Sequence, residues 1–392
     1  MTGLKVTMLC SSLEAGRDGV GDYTRLMAGE LANRGHRCQA ISLNDPHVEF
    51  ESEQGAGMIA LRLSSRMPWR QREDAAAKAI ARFDPDWISL QFVAYGFHAK
   101  GLPVGLRVRL RRLAGRRKLH LMLHELWIGE AADYGLKERA AGWLQKKLIL
   151  RMVRTLRPAA MHTSNPVYAA MLAEQGYQPG ELPLFGNVAV DSDPSAAWVY
   201  DRLRDSGIVI DPSNRAGLLI AGIFGTIHPQ WSPKSLLRSL ELLAQERGQR
   251  LLFVAFGRIG LPGEQMWKIL AHDGSDGTAF LNLGEQPSPR ISQILQNLDL
   301  GVSASPWALA GKSGTIAAML DHGLPVVVGR DDWHRRRGPT PPPTPHPLLF
   351  REDEFLEAAR AGKLCRRAPS PALPAVASQM LNDLTRASKP AR

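Results

Sequence analysis

The sequence predicts an α/β protein made of two successive domains, each built around a parallel β-sheet. Short apolar runs of strand length alternate with segments of helical periodicity along most of the chain, as in parallel sheets with connecting helices. The chain has 392 residues, a length that favours two domains over one. Apolar residues make up 44% of the chain and charged residues 22%, which is enough apolar mass for two cores.

The first domain is predicted to span residues 1–190. It opens with a strand at 4–10, a glycine-rich loop and a helix that ends at Gly35, and a strand at 36–45 completes a βαβ unit. The pattern then predicts a helix at 75–86, strands at 87–92 and 118–125, a helix at 139–157, a strand at 159–164, a helix at 165–176 and a last strand at 182–188.

The second domain is predicted to span residues 216–370, after a polar linker at 191–215. Its strands are predicted at 218–225, 250–257, 279–284, 299–305 and 324–329, each of the first four followed by a helix. Six prolines in 335–347 remove amide donors, so this segment is predicted to be a loop or arm. A final helix is predicted at 371–387, within a C-terminal segment of 371–392 that ends in a frayed tail.

The number of cysteines and the length of the apolar runs indicate which classes of protein the sequence excludes. Cys10, Cys38 and Cys365 are too few and too widely spaced for a disulfide framework or a zinc site. The N-terminus lacks the pattern of a secretory signal, and no apolar run approaches the ~20 residues that cross a bilayer. The sequence therefore predicts a cytoplasmic protein.

One segment carries the whole excess of positive charge. The formal net charge is +11, and residues 100–157 contain fifteen Lys and Arg residues against four Asp and Glu residues. Such a patch fits an anionic partner, while a merely solvated surface is the alternative. Segments 105–118 and 139–157 are predicted to dock on an anionic membrane, at its inner face. The patch lacks interleaved aromatic residues and any nucleic-acid motif, so we expect no nucleic-acid partner.

The first loop that could bind a ligand is the glycine-rich loop at 16–21. Ligands of parallel sheets bind beyond the carboxyl ends of the strands, and Gly19 and Gly21 would let a phosphate approach the backbone at a helix N-terminus. The G-x-x-G-x-G spacing differs from the dinucleotide motif, but Asp45 at the end of the second strand would suit a ribose. An NAD site and a merely tight turn therefore both remain alternatives.

A second loop opens a helix late in the chain. Lys312, Ser313, Gly314 and Thr315 combine a cation, hydroxyls and a helix N-terminus, the groups that a diphosphate needs. The loop superficially resembles an ATP-binding P-loop, but that motif requires glycine where this chain has Pro306.

A third loop at 224–234 follows the first strand of the second domain. It contains Thr226 and His228 and ends at Lys234, in the first helical turn, where the side chain could reach a phosphate. A solvated lysine is the alternative. In the first domain, His124 ends a strand and could hydrogen-bond a hydroxyl. His120 shares its face of the strand, but two histidines without carboxylate or cysteine neighbours make a poor metal site.

With these loops in order, the chain resembles the GT-B glycosyltransferases, in particular their large family-four-like group of retaining enzymes. The segments 19–36, 123–127 and 223–237 resemble that group's opening loop, its histidine-acid motif and the start of its donor domain. The segment 281–328 follows its donor-site segment most closely. The resemblance implies two Rossmann-like domains facing each other across a cleft, with the final helix returning to the first domain.

The resemblance also implies roles for individual residues. A UDP- or GDP-sugar would bind mainly to the second domain, and a glycan or lipid-linked acceptor mainly to the first. The diphosphate would lie on the helix N-terminus near Ser313, helped by Lys234 and by amides near Gly19 and Gly21. His124 would contact the sugar hydroxyls. The base would be bordered by Gly284, Glu285 and Gln286. No cofactor or metal is expected, because lysine and helix dipoles replace the metal's charge.

The chain departs from that family at its acidic residues. The usual pair of glutamates, aligned on GLPVV, is replaced by Ala310 and Ala318, and the usual arginine before the phosphate lysine is replaced by Thr226 or His228. Either a variant enzyme uses the polar groups of the Lys312 loop instead, or the chain is a catalytically silent GT-B subunit or sugar-nucleotide-binding scaffold.

Overall fold

The computed structural model describes residues 3–49, 52–55, 58–195, 197–205, 212–275 and 277–388. It divides the chain into two compact units. Unit 1 consists of Met1–Asn187, Arg335–Pro341 and Leu373–Arg392, and unit 2 of Val188–His334 and Pro342–Ala372. The sequence analysis placed residues 335–341 in the second domain, whereas the structure assigns them to unit 1.

Unit 1 is an eight-stranded sheet with helices on both faces. Its strands are β1 (Lys5–Cys10), β2 (Arg37–Asp45), β3 (Ser52–Gly55), β4 (Ile59–Ser64), β5 (Trp87–Phe92), β6 (Lys118–Leu123), β7 (Ala160–Thr163) and β8 (Gly180–Glu181). Its helices are α1 (Gly19–Asn33), α2 (Trp69–Phe83), α3 (Ala94–Phe97), α4 (Leu106–Ala114), α5 (Leu136–Leu156), α6 (Pro166–Ala173) and the last helix of the chain, α13 (Leu373–Arg386).

The strand order in unit 1 is β3-β4-β2-β1-β5-β6-β7-β8, and every pair except β3–β4 is parallel. Met8 of β1 lies opposite Ala40 of β2 and Ser89 of β5. The central strand β5 is buried at all six positions, as expected for a parallel sheet covered on both faces. The predicted strands at 4–10, 36–45, 87–92, 118–125 and 159–164 are confirmed.

The strand predicted at 182–188 is wrong. Leu182 donates one further backbone hydrogen bond to Thr163 of β7, but Pro183 has no amide to continue the ladder. The chain then turns so that Phe185 stacks on Tyr23 of α1, with ring centroids 4.6 Å apart. Packing on α1 therefore replaces pairing in the sheet, and the last strand of unit 1 is the two-residue β8.

Unit 2 is a six-stranded parallel sheet in the order β11-β10-β9-β12-β13-β14. Its strands are β9 (Leu218–Phe224), β10 (Arg250–Phe256), β11 (Ala279–Asn282), β12 (Leu300–Ser303), β13 (Val326–Val328) and β14 (Leu349–Arg351). Its helices are α7 (Ala197–Asp205), α8 (Lys234–Glu246), α9 (Gly260–Asp273), α10 (Ser288–Asn297), α11 (Gly314–Asp321) and α12 (Phe355–Arg360). The five predicted strands of this domain are confirmed.

The core of unit 2 lies on both faces of its sheet. Leu219 and Ile223 of β9 contribute to one apolar cluster, and Leu218 and Ile220 contribute to the other. Because successive side chains of a strand point to opposite faces, β9 is covered by helices on each side. This arrangement leaves the ends of the parallel strands as the places where polar loops meet.

The proline-rich segment 335–347 is irregular, as predicted, and its first residues are fixed to unit 1. The guanidinium of Arg335 donates two hydrogen bonds of 2.7 and 2.8 Å to the carboxylate of Glu174. The backbone amide of Arg336 donates to the carbonyl of Glu130, at 2.7 Å. These bonds explain why Arg335–Pro341 belong to unit 1.

Helix α5 contacts the loop before it through Gly142. A Cβ atom at this position would lie 1.9 Å from the carbonyl oxygen of Ile128. Because that neighbour is backbone, we expect Gly142→Ala to lower the free energy of unfolding by about 1–3 kcal/mol or more. Gly29 of α1 is the matched control, since a Cβ there meets nothing within 4 Å. Gly29→Ala should therefore raise the free energy of unfolding by about 0.5–1 kcal/mol. Urea unfolding would measure both, and equal effects would contradict this packing.

Candidate functional site

The carboxyl ends of β9, β12 and β13 are neighbours at one edge of the unit 2 sheet, because these adjacent strands are parallel. Their loops contact one another. The amide of Trp307, after β12, donates to the carbonyl of Arg330, after β13, at 2.7 Å. Gly225, after β9, has a φ of +78°, and a Cβ there would lie 2.9 Å from the methyl of Thr315. Three loops thus meet at this edge, and two of them, the Lys312 loop and the loop at 224–234, were predicted to bind a ligand.

The N-terminus of α11 is built from the predicted Lys312 loop. A 3₁₀ helix at Trp307–Lys312 leads to Ser313, whose hydroxyl caps α11 by accepting from the amide of Ile316 at 3.4 Å. The Ser313 hydroxyl also lies 3.3 Å from that of Ser305 and 3.0 Å from that of Thr315. The first amides of a helix have no intrahelical acceptor, so this end of α11 can donate to an anion.

Charged side chains act on His228, on the neighbouring loop after β9. Partial burial and the charges of Arg330 and Lys312 lower the pKa of His228, although the charge of Asp332 raises it. The imidazole of His228 is therefore neutral at pH 7 and can accept or donate one hydrogen bond. Thr226 and His228 are both exposed to solvent on the loop after β9.

Arg330 belongs to this group and was missed by the sequence analysis. Its side chain is only 6% exposed, and its Nε and Nη2 atoms each donate to Asp332 at 2.9 Å. Its Nη1 atom is buried and has no hydrogen-bond partner among the described residues. The signal in the sequence was an arginine directly after the strand LPVVVG, at the carboxyl end where parallel sheets bind ligands.

Lys234 lies in different surroundings. Its ammonium group pairs with Asp273 of α9 at 2.9 Å, and both residues line a cavity of about 500 Å³ between α8 and α9. The cavity is also lined by Trp231, Met266 and Ile269. Lys234 remains a predicted phosphate ligand, but it would have to leave Asp273 to reach one.

The predicted base-binding residues follow the edge strand β11. Gly284 has a φ of +63°, and its carbonyl accepts from the amide of Gly257, after β10, at 2.8 Å. Glu285 pairs with Arg258 through contacts of 3.0 and 3.2 Å, and Gln286 donates to the carbonyl of Leu283. These residues therefore stand at the same edge of the sheet as the Lys312 loop, which follows β12, but three strands away from it.

Ala310 and Ala318 belong to the apolar core of unit 2. They are 1% and 0% exposed, in the same cluster as Ile316 and Met319. The positions that align with the family's paired glutamates therefore present no polar group at the sheet edge.

In unit 1, His124 directly follows β6 and is buried, with 7% of its surface exposed. Its Nε2 atom lies 2.9 Å from Oε1 of Gln91, and its ring meets the edge of Tyr23 with centroids 4.8 Å apart. Burial lowers the pKa of His124 to about 3, so the ring is neutral at pH 7. Because Tyr23 is in the second turn of α1, the structure brings His124 next to the helix that begins with Gly19 and Gly21.

The N-terminus of α1 is occupied by a carboxylate of the chain itself. Asp18 accepts hydrogen bonds from the amides of Val20 and Gly21, at 2.8 and 3.0 Å. Gly21 packs against the carbonyl of Ser12, while a Cβ at Gly19 would meet open space. Gly19 and Gly21 remain predicted ligand contacts, but a phosphate at these amides would compete with Asp18.

Asp45 has a structural role, which argues against an NAD site at the end of β2. It is fully buried and accepts hydrogen bonds from Arg62 at 2.9 Å, from the amides of Leu13 and His47 at 3.0 Å each, and from Ser42 at 3.1 Å. A ribose would have to displace these partners.

The whole chain has the GT-B fold, as comparison with solved structures shows. It matches a glycosyltransferase from Rickettsia africae, with 12% identity, 100% of both chains covered and a TM-score of 0.56. It matches the catalytic domain of starch synthase IV from Arabidopsis thaliana bound to ADP and acarbose, with 13% identity, 98% and 99% covered and a TM-score of 0.58. No protein-family model and no curated protein matches the sequence.

The same fold occurs in a second class of enzyme. The chain also matches UDP-GlcNAc 2-epimerase from Methanocaldococcus jannaschii, with 10% identity, 98% and 100% covered and a TM-score of 0.51. The predicted α/β fold of two Rossmann-like, parallel-sheet domains is thereby confirmed. Since transferases and an epimerase share it, function has to be argued from the site.

Proposed function

We propose that the protein is a glycosyltransferase that moves a sugar from a UDP- or GDP-sugar to a glycan or lipid-linked acceptor, with retention at the anomeric carbon. The observation that carries the proposal is the group of Lys312, Arg330 and the N-terminus of α11 at the carboxyl edge of the unit 2 sheet. Amides and cations at such an edge suit a diphosphate. Retention follows from the family resemblance.

The proposed chemistry depends on stabilising the leaving diphosphate. As the bond to the sugar breaks, negative charge grows on the diphosphate, where the amides of α11 and the charge of Lys312 would hold it. Ser313 and Thr315 supply further donors. The α11 amides and Lys312 would make a metal ion unnecessary, because they already provide positive potential at the phosphates. His124, with its neutral ring, would contact sugar hydroxyls.

The proposal is tested by incubating the purified protein with UDP-, GDP- and ADP-sugars and analysing the products by mass spectrometry. A glycosyltransferase without its acceptor should hydrolyse its own donor slowly, releasing the nucleoside diphosphate and free sugar. Titration calorimetry with the same panel should identify the donor by its tighter binding. If no nucleotide sugar binds, the proposed donor site is refuted.

A silent subunit or sugar-nucleotide-binding scaffold is the second candidate, because Ala310 and Ala318 are buried where the family keeps its acids. A scaffold of this kind would bind a nucleotide sugar in the calorimeter but would release no product. Binding without hydrolysis, and without transfer to any acceptor in a glycan panel, would favour it over the enzyme.

We also propose that α4 and α5 dock on an anionic membrane. In α5, Leu136, Trp143 and Leu144 are 82%, 62% and 40% exposed, and Lys147 lies over the Trp143 ring at 5.4 Å. These residues fall on one helical stripe, and Arg151 continues it. Exposed tryptophan and leucine beside basic residues are typical of helices that lie at a lipid surface. No described helix is both long and apolar enough to cross the bilayer.

Part of the basic segment is already neutralised within unit 1. Arg109 and Arg112 of α4 lie 3.8 and 3.3 Å from the carboxylate of Glu73, and Arg117 lies 3.0 Å from Asp84. The attraction to lipid should therefore come mainly from α5.

Replacing both Trp143 and Leu144 with serine is expected to reduce binding to anionic vesicles about tenfold, because two exposed apolar side chains no longer enter the lipid. Flotation with phosphatidylserine-containing and neutral vesicles measures the effect. Leu242→Ser is the matched control, since Leu242 is 40% exposed on α8 of unit 2. Equal flotation of all three proteins, or no dependence on anionic lipid, would refute membrane docking.

A further inference from the structure

A continuous line of hydrogen-bonded polar side chains runs through unit 1 from His124 to the last helix. Five bonds join its six members, with lengths of 2.9, 2.7, 2.7, 2.9 and 3.0 Å. In order, the members are His124, Gln91, Ser89, His120, His162 and Asp383. They come from β5, from β6 and the residue that follows it, from β7 and from α13.

The line is buried for almost its whole length. Ser89, Gln91 and His120 are 0% exposed, and His162 is 3% exposed. Only the side chain of Asp383, at 25%, reaches solvent appreciably. Buried polar groups are costly unless their hydrogen bonds are made, and a network in which every link is made holds one arrangement of its members.

The chemistry of Asp383 sets the direction of every bond. A carboxylate only accepts, so Nε2 of His162 carries a proton. Burial lowers the pKa of His162, so the ring is neutral at pH 7 and its Nδ1 must accept. The donor to that atom is Nε2 of His120, which leaves Nδ1 of His120 as the acceptor for the hydroxyl of Ser89.

The same reasoning fixes the donor and the acceptor of the two remaining hydrogen bonds, up to His124. The Ser89 hydroxyl, which donates to His120, accepts from Nε2 of Gln91. The amide oxygen of Gln91 therefore faces His124, and Nε2 of His124 must donate to it. In this arrangement the proton of the neutral His124 ring is on Nε2, and Nδ1 bears a lone pair that accepts no hydrogen bond from a described residue.

We propose that Asp383 is a positioning residue: through this line it holds His124 as the Nε2–H tautomer, so that Nδ1 accepts a hydrogen bond from a ligand hydroxyl. That the ligand is a sugar rests on the proposed function. The tautomer itself does not, because it follows from the bonds within unit 1. A site of this kind selects for a donor group, so replacing the contacted hydroxyl by fluorine would remove the bond.

The tautomers can be observed directly in the full-length protein labelled with ¹⁵N-histidine. Long-range ¹H–¹⁵N spectra distinguish protonated from bare ring nitrogens, and His124 is assigned by the loss of its signals in His124→Gln. We expect His120, His124 and His162 to show the Nε2–H form alone, without change between about pH 6 and 8. An Nδ1–H or doubly protonated His124 in the wild-type protein would overturn the proposal without testing the transferase activity.

The variant Asp383→Asn tests whether Asp383 sets the direction. An amide can donate as well as accept, so the reversed line becomes possible and Nδ1–H signals should appear for His120, His124 and His162. Asp383→Glu keeps an acceptor and should restore the single form. Arg386→Gln is the control, because Arg386 lies 3.5 Å from Asp383 and is 80% exposed. A single unchanged tautomer in Asp383→Asn, even with a lower melting temperature, would leave Asp383 a purely structural role and refute the proposal.

Discussion

Replacing Lys312 with alanine is expected to weaken binding of the donor nucleotide sugar about ten- to a hundredfold. Lys312 ends the 3₁₀ helix just before Ser313, the cap of α11, so this residue adjoins a helix end whose first amides have no intrahelical acceptor. A hydrogen bond to a charged group contributes about 1.5–3 kcal/mol, which corresponds to this range of affinity. Titration calorimetry with the donor identified from the panel measures the change.

Lys234→Ala provides the comparison for Lys312→Ala. The sequence predicts both lysines as phosphate ligands, but Lys234 is 65% exposed and paired with Asp273 at 2.9 Å. We therefore expect its replacement to have the smaller effect. Unchanged affinity in both variants would show that the diphosphate does not bind at this edge. Raising the salt concentration should weaken binding to the wild type more than to Lys312→Ala, because the lost contact is ionic.

Replacing Asp45 with alanine is expected to lower the free energy of unfolding by about 3 kcal/mol, because Arg62 is left buried with a single remaining carboxylate partner, Glu14. The side chains of Asp45 and Arg62 are 0% and 9% exposed. Urea unfolding measures the loss. Glu49→Ala removes an exposed pair with Arg66 in the same unit and should cost less than about 1 kcal/mol. Similar losses in the two variants would contradict the structural role of Asp45.

The contribution of Asp45 should depend on pH in a defined direction. Burial raises its pKa, but the hydrogen bonds from Arg62 and from the amides of Leu13 and His47 outweigh burial and hold the pKa below its ordinary value. Ionised Asp45 therefore stabilises the fold above the unfolded-state value of about 4, and this stabilisation is lost as the pH falls through the folded-state pKa. The difference between wild type and Asp45→Ala should accordingly shrink in acid.

The parts of the fold that depend on local pattern were predictable from the sequence. Central strands such as WISLQF are apolar because both faces of a parallel sheet are covered, and Ser313 followed by an apolar helix indicates a capped start. The loops of the proposed donor site follow from the same order, since each comes after a predicted strand.

The remaining features depend on partners that are distant in sequence. Strand β4 was missed; it carries Arg62, whose burial depends on the carboxylates of Asp45 and Glu14. The surroundings of Lys234 depend on Asp273, and the line of histidines depends on Asp383, which lies 221 residues beyond His162. No local periodicity contains such pairings, so only the folded structure could show them.

The division of the chain has a consequence for its synthesis. Unit 1 begins at the N-terminus but includes Arg335–Pro341 and Leu373–Arg392, whereas unit 2 needs nothing after Ala372. As the ribosome releases the chain from its N-terminus, the first unit to begin folding is therefore the last to be finished. Until α13 has been synthesised, its contacts from Ser378 to Arg34 and from Asp383 to His162 are missing. The nascent protein should therefore hold an incomplete unit 1, which chaperones can recognise, until α13 has left the ribosome.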